Sequence, residues 1–337
     1  MADDPVLITG AAGFIGEHLA LHLARLGRSV VAVDRRPPAG SYRGLPGVHA
    51  VTCDVAGPRF RSHFRALRPR AVIHLAAQSS LGALERDPSR GLRDNVLGTL
   101  NVIEACTAAG TQRMIFASSA AVYGSAAVPM RETAPPRPQS AYGWTKAAGE
   151  QMVVRCGVER GLEYAVLRFA NCYGPGQEEK DDPGVMSLWL DAARTGAPLR
   201  IAAGRRTRDF VHVSDVVEAI ALALDARLTG ETLNISTGVE TSLHDLAVLV
   251  CRITGATMSV QEHAPPAGDI LRSALDRAAA GAVLGWKPRV TLAEGLLAMW
   301  RHVSAEPTAV RAAADPRAAR SLERVRMPGT GGAVSRG

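Results

Sequence analysis

A chain of 337 residues is longer than one hydrophobic core usually organises, so a large α/β domain or two coupled ones is the starting expectation, and small disulfide-stapled modules are excluded. Hydrophobic residues make up 47% and charged residues 21%, a globular balance that excludes wholesale disorder. The net charge of +7 invites a nucleic-acid reading, but residues 301–337 hold seven arginines against three acids, leaving +3 for the first 300. The body is only mildly basic and carries no aromatic-interleaved basic stripe, so no nucleic-acid partner is expected.

Nor is a membrane expected: no apolar run reaches the roughly 18 to 20 residues of a span, and the opening MADDPVLITG has acids where a secretion signal has basic residues. The chain reads as cytoplasmic. Five scattered cysteines, Cys53, Cys106, Cys156, Cys172 and Cys251, form no CxxC pair, so neither disulfides nor a metal site is expected.

In chain order, residues 5–9, 29–33, 71–75, 113–118 and 164–168 are short apolar runs without polar alternation, the pattern of strands buried on both faces, and a further strand is expected at 48–52. Helical periodicity fills the gaps at 16–26, 92–109 and 145–157, the first closed by Gly27. Strand alternating with helix predicts a Rossmann-type, doubly wound parallel sheet over 1–175. Pro175-Gly176 then opens a polar loop, GQEEKDDPG, ahead of a smaller substrate-binding domain over 176–305. Helices are expected at 185–194 and 214–224 and a strand at 232–235; segments near 209–238 return to the first domain. Ser242-Leu-His-Asp245 reads as a capping box opening a helix that Gly255 closes. Beyond 306 the Ala/Arg/Gly/Pro-rich sequence predicts a flexible tail.

Thr9-Gly10-Ala11-Ala12-Gly13-Phe14-Ile15-Gly16 follows the first strand and opens the first helix. Glycines there let backbone N–H groups approach a pyrophosphate at a helix N-terminus. Asp34 ends the second strand, where a carboxylate binds both ribose hydroxyls of an adenosine and repels a 2′-phosphate, favouring NAD over NADP. Arg35 and Arg36 follow at once and could instead hold that phosphate. Asp54, after the third strand, either accepts from an adenine amino group or serves the turn before Gly57-Pro58.

Tyr142-Gly-Trp-Thr-Lys146 puts a phenol and an ammonium at i and i+4, on one helix face, in a chain with only three lysines. The cation favours phenolate, which makes an alcohol-deprotonating base. Ser118-Ser119-Ala-Ala-Val-Tyr123-Gly124 follows the strand at 113–118, at the sheet edge where doubly wound folds bind ligands.

TGAAGFIG, the acid at 34, HLAAQ at 74–78, NVLGT at 95–99, SSAAVYG, YGWTK, RFANCYGPGQ at 168–177 and RDFVHVSDVV at 208–217 together resemble the extended short-chain dehydrogenase/reductase family, in its nucleotide-sugar epimerase/dehydratase branch. The resemblance spans about residues 5–303. It implies NAD held by Gly10, Gly13, Phe14, Ile15, Gly16, Asp34, Arg35, Asp54, Val55, Ala76 and Lys146. It implies a catalytic set of Ser119, Tyr142 as base and Lys146, which binds the nicotinamide ribose. Asn171, Arg208 and Asp269 would contact a nucleoside-diphosphate sugar together with Ser119 and Tyr142. Homodimerisation through helices near 92–109 and 142–156 is a further implication. Without the resemblance, Arg208-Asp209 reads as a surface ion pair, Asn171 as a turn residue, and Lys180 as a solvated loop charge or a partner for a carboxylate on the sugar.

Two departures carry information. Dehydratases of this branch place an Asp-Glu pair directly after the catalytic hydroxyl, where this chain has Ala120-Ala121, and methyl groups transfer no protons. An arginine common shortly before Gly268-Asp269 is missing, with Arg272 or Arg205 as candidates to compensate. The expectation is a nucleotide-sugar 4-epimerase working by transient C4 oxidation to a 4-keto sugar and hydride return to the opposite face. A dehydratase or reductase of the same family and a non-catalytic NAD-binding scaffold are the alternatives.

Overall fold

The computed structural model describes residues 5–37, 42–178, 180, 183–257, 259–265 and 269–305; the expected tail beyond 306 and Gly268 lie outside the described residues. In chain order the first half runs β1 (Val6–Thr9), α1 (Phe14–Arg25), β2 (Val30–Asp34), β3 (Val48–Thr52), α2 (Phe60–Leu67), β4 (Ala71–His74), α3 (Leu81–Arg86) and α4 (Pro88–Gly91). A π-helical stretch, Leu92–Leu97, leads into α5 (Gly98–Ala109), β5 (Arg113–Ser119), a 3₁₀ turn at Ala120–Val122, α6 (Ala141–Arg160) and β6 (Glu163–Phe169). The second half continues with β7 (Asn171–Tyr173), α7 (Gly184–Thr195), β8 (Leu199–Ala202), β9 (Thr207–Arg208), β10 (Phe210–His212), α8 (Val213–Asp225) and β11 (Glu231–Ile235). It closes with β12 (Thr241–Ser242), α9 (Leu243–Thr254), β13 (Val260–His263), α10 (Ala278–Leu284) and α11 (Leu292–Ala305).

Seven strands form one parallel sheet in the order β11-β6-β5-β4-β1-β2-β3. The order reverses direction between β1 and β4, the switch point at which a crevice opens beyond the strand ends. Its inner strands are buried on both faces because they are sandwiched between apolar layers, with Val6 and Ile8 packing with Leu19, Leu23, Val216 and Ile220 and Leu7 turning to the layer of Phe60, Phe64, Val102, Cys106 and Val153; the edge strand β3 is only half-buried. β11 pairs with β6, so a strand from the second half completes the sheet. A third apolar cluster, with Trp189, Leu190, Leu246, Val250, Leu296 and Met299, unites α7, α9 and α11.

Two predicted helices differ from their expected form. The helix expected from 145 begins at Ala141, with the Ser140 hydroxyl capping it by accepting from Gly143 N; the cap lies ahead of the apolar periodicity and so escaped it. The uniform helix expected over 92–109 starts in π geometry. Within it the consecutive residues Asp94 and Asn95 are both buried, 6% and 3% exposed. Ser242 caps α9 through Asp245 N and Gly255 ends it in the left-handed region, as the capping-box reading anticipated.

Candidate active site

The site is a cleft along the carboxyl ends of β1, β2, β4, β5 and β6, lined from the glycine turn through Asp34 and Asp54 to Tyr142 and Lys146. Its floor is the turn between β1 and α1. A Cβ on Gly16 would lie 2.2 Å from the Gly10 carbonyl oxygen, and one on Gly10 would lie 2.7 Å from Ala76 N; only glycine lets these backbones approach. Gly13 caps α1 with no side chain accepting the first-turn N–H groups, so those donors and the positive helix end are left for an anion. Asp34 has its carboxylate held by Ala12 N at 3.0 Å and Arg36 N at 2.9 Å. These residues fit a dinucleotide: a cradle closed to any side chain, donors for the pyrophosphate, and an oriented carboxylate for a ribose.

The neighbouring arginines are already engaged. Arg35 donates to Asp94 at 2.7 Å, and Arg36 donates to the Ala12 carbonyl at 3.1 Å. A 2′-phosphate would have to compete with both contacts and with Asp34. Asp54 serves the turn, as one of its two expected roles: Oδ1 accepts from Ala56 N at 3.0 Å, while Oδ2 accepts from Arg93 at 2.6 Å. Partial burial pushes its carboxyl up, but the Arg93 and Ala56 hydrogen bonds prevail and hold it below the usual range.

At the other end, helix α6 is pressed onto β5. A Cβ on Gly143 would sit 2.5 Å from the Ala121 carbonyl, so the glycine inside the Tyr-Gly-Trp-Thr-Lys motif brings Tyr142 against the turn that carries Ser119. Lys146 is buried, its Nζ donating to the Ala117 carbonyl at 2.7 Å and lying 5.8 Å from the Tyr142 ring centroid. Burial lowers its ammonium from 10.5 to about 8, with Glu150 pulling it back up. The i, i+4 reading therefore holds. The two serines divide their tasks: Ser118 is buried and donates to Glu150 at 2.5 Å, whereas the Ser119 hydroxyl accepts from Ala121 N at 3.2 Å and caps the 3₁₀ turn.

Beneath these residues lie two buried networks whose members sequence reasoning left without roles. Asn95 accepts from Gln78 N at 2.7 Å and donates to Thr145 Oγ1 at 2.9 Å, and Thr145 donates to the carbonyl of Tyr142 at 2.8 Å. Thr99 donates to Asn95 O at 2.6 Å, so it accepts from His74 Nε2 at 2.9 Å. The His74 Nδ1 then accepts from Thr9 at 2.7 Å. Burial first, then Lys146, depresses this imidazole to about 3, so it is a neutral strut between the glycine turn and the tyrosine helix. In the second network Arg168 forks onto Glu150, at 2.9 and 2.7 Å, and reaches Tyr123 Oη at 2.9 Å. The HLAAQ and NVLGT motifs held the first signal, but their function depends on which strand ends meet.

Several readings made without the family resemblance are corrected. Arg208 and Asp209 are not a surface pair: Asp209 is fully buried, accepting from Thr237 N and Oγ1, Gly238 N and Leu275 N, and Arg208 pairs with Asp269 at 2.5 Å. Asn171 begins strand β7 rather than a turn, with its side chain donating to Asp209 O at 3.2 Å. Lys180 is not a solvated loop charge but lines the cleft and pairs with Glu17 at 2.6 Å. Arg272 is held by Glu240 at 2.6 and 2.7 Å and Arg205 is exposed; neither meets Asp269. The structure thus joins Arg208 to Asp269, two residues that the resemblance assigns to the substrate.

The sequence profile of the NAD dependent epimerase/dehydratase family matches residues 6–236. A UDP-glucose 4-epimerase of Mycolicibacterium smegmatis is 35% identical over 298 residues, covering 86% of this chain and 95% of its own. Among solved structures, a UDP-glucose 4-epimerase of Thermotoga maritima with UDP-glucose superposes with a TM-score of 0.85 at 33% identity, covering 89% of this chain and 99% of its own. MoeE5 in complex with UDP-glucuronic acid and NAD gives 0.83 at 35% identity, covering 89% and 99%. With the glycine cradle, the Asp34 carboxylate and the Tyr142/Lys146 pair on a doubly wound sheet, these likenesses establish that the chain belongs to the NAD dependent epimerase/dehydratase family and is an NAD-dependent enzyme.

Proposed function

We propose that the enzyme is a nucleoside-diphosphate-sugar 4-epimerase. The observation that carries this reading is the placement of ionisable groups along the cleft. Its lining carboxylates, Asp34, Asp54 and Asp94, belong to the adenosine end, whereas the turn beside Tyr142 offers only the methyl groups of Ala120 and Ala121. An alcohol can be deprotonated there, but among the described residues that line the cleft no carboxyl group stands beside Tyr142 to remove a C5 proton or expel a 6-hydroxyl.

Gly10, Gly13, Gly16, Asp34 and Lys146 would hold NAD, which would supply a reversible two-electron acceptor for the hydride of C4. Tyr142 as phenolate accepts the proton of the 4-hydroxyl, and Ser119 bridges the two oxygens by hydrogen bonding. The Lys146 ammonium, fixed by Ala117 O, stabilises the negative charge on the phenol. The resulting 4-keto sugar turns within the pocket, and Tyr142 returns the proton when C4 is reduced on its opposite face. Asn171, Arg208 and Asp269 hold the nucleotide part outside the reacting centre, so the diphosphate remains anchored while the sugar rotates.

The test is incubation with UDP-glucose, and in parallel with UDP-glucuronic acid, in D₂O. The expected product is the 4-epimer, free of carbon-bound deuterium by NMR. Deuterium at C5 or an accumulating 4-keto-6-deoxy product refutes the epimerase reading in favour of dehydration. Absence of turnover on a panel of nucleotide sugars favours a scaffold.

Homodimerisation is proposed through α5 and α6, supported by exposed apolar side chains on or beside those helices: Leu97, Leu100 and Trp144 are 54%, 37% and 64% exposed. Such side chains gathered on neighbouring helices suit a self-complementary contact. Light scattering should give twice the chain mass, and Trp144→Glu should halve it. No described helix is long and apolar enough to cross a membrane.

A further inference from the structure

Two arginines converge on a single carboxylate. Arg206 reaches Asp269 Oδ2 at 3.0 Å and Arg208 reaches Oδ1 at 2.5 Å, with side-chain exposures of 11%, 17% and 15% for Arg206, Arg208 and Asp269. Both guanidinium groups are further fixed by backbone carbonyls, Arg206 by Ala203 at 3.1 Å and Arg208 by Ile270 at 2.7 Å. The adjacent charges do not balance the group. Glu240 is consumed by Arg272 and by the Thr207 hydroxyl, Arg205 adds a further exposed cation, and the three residues before Asp269 are Pro, Ala and Gly. One net positive charge is thus left in a largely buried place, a costly arrangement unless an anion completes it.

The platform is rigid. Asp209, next to Arg208, is bolted by four hydrogen bonds to the segments at 237–238 and 275, and its carbonyl takes both the backbone N–H and the side chain of Asn171. Asn171 opens β7, two residues beyond the cleft-lining Phe169. Asn171 and Arg208, joined through Asp209, are the groups that the nucleotide-sugar reading puts on the diphosphate, and Arg206 is held beside them by the carboxylate it shares with Arg208. Burial, countered by Asp269 and reinforced by Arg206, holds the Arg208 guanidinium below its ordinary value, as expected for cations crowded on one carboxylate.

We propose that Arg206 is a second diphosphate-binding residue: with Arg208 it forms a two-arginine clamp for a nucleoside diphosphate, and Asp269 is their resident counter-ion. This takes the place of the arginine missing before Gly268-Asp269, and it rests on the nucleotide-sugar reading above. An arginine pair suits the closely spaced oxygens of a diphosphate better than one fork. A monophosphate has no second group for the second arginine.

The test is calorimetric titration of the NAD-loaded protein with UDP and with UMP, with GDP and dTDP run in parallel. Arg206→Gln should weaken diphosphate binding about 10-fold or more, the scale of a lost charge-assisted hydrogen bond, and erase most of the preference for UDP over UMP. Arg206→Lys should recover part of it, and Arg272→Gln should bind as the unaltered protein does. Unchanged UDP affinity in Arg206→Gln, with a loss in Arg208→Gln, overturns the inference and leaves the nucleotide-sugar reading standing. Equal losses for UDP and UMP with a lowered melting temperature assign Arg206 a structural role and also overturn it. If the unaltered protein binds none of the three diphosphates, the nucleotide-sugar reading itself fails.

Discussion

Replacing Glu150 by Gln removes one charge from a cluster in which two cations depend on it. Glu150 and Arg168 are 4% and 5% exposed, joined by a fork at 2.9 and 2.7 Å, and Lys146 stands one turn earlier on the same buried helix face. Removing one partner of a buried ion pair costs about 3–5 kcal/mol, because the other charge stays desolvated. At about 2 °C per kcal/mol for a large domain, the melting temperature should fall by about 6–10 °C. Glu150→Gln/Arg168→Met, which deletes both charges, should recover much of that loss.

The pH dependence follows from Lys146, whose pKa burial has already lowered to about 8 against the upward pull of Glu150. Without Glu150 it falls further. A lysine depressed in the folded state costs stability at low pH, and the cost fades as pH rises through the folded pKa toward the unfolded value. The stability gap between Glu150→Gln and the unaltered protein should therefore be widest near pH 6 and narrow by pH 9. The alkaline fall of kcat, where the ammonium is lost, should move to lower pH. Thermal melts and pH–rate profiles on the NAD-loaded protein measure both effects. A variant melting within 1–2 °C of the unaltered protein, by the scale of about 2 °C per kcal/mol, with an unmoved alkaline limb, would refute the buried-charge reasoning.

Tyr142→Phe should abolish turnover with NAD still bound, and Ser119→Ala should slow it about 10²-fold; near-normal activity in the tyrosine variant sinks the mechanism. Denaturing the purified protein should release NAD, because the Asp34 carboxylate at the end of β2 would repel a 2′-phosphate and Arg35 is tied to Asp94; recovery of NADP would contradict this. Gly16→Ala, whose methyl would meet the Gly10 carbonyl at 2.2 Å, should destabilise the protein by about 1–3 kcal/mol and empty the cofactor site; full NAD occupancy by absorbance would count against the cradle.

What the sequence by itself determined is local. Apolar runs without alternation specify buried strands, a glycine turn between strand and helix specifies an anion cradle, and Tyr142 with Lys146 follow from the helical repeat. Each depends on residues within a few positions, where backbone geometry and side-chain chemistry act directly. The Ser242 cap and the Gly255 stop were legible for the same reason, since both involve contacts inside one helical turn.

Tertiary structure decided whatever depends on distant partners. Lys180 and Glu17 lie 163 positions apart and Arg208 and Asp269 lie 61 apart, so no spacing along the chain announces either pair. The π-helical turn carries Asp94 and Asn95, which bond to Arg35, Gln78 and Thr145 from other elements, and a local pattern predicts only an ordinary helix there. His74 reads in sequence as part of an apolar strand; between Thr9 and Thr99 it is a neutral strut. Burial and partners set the protonation of Lys146 and His74 and the excess charge around Arg206. These are fixed only when the chain closes on itself, because desolvation and Coulomb interactions act through space rather than along the backbone.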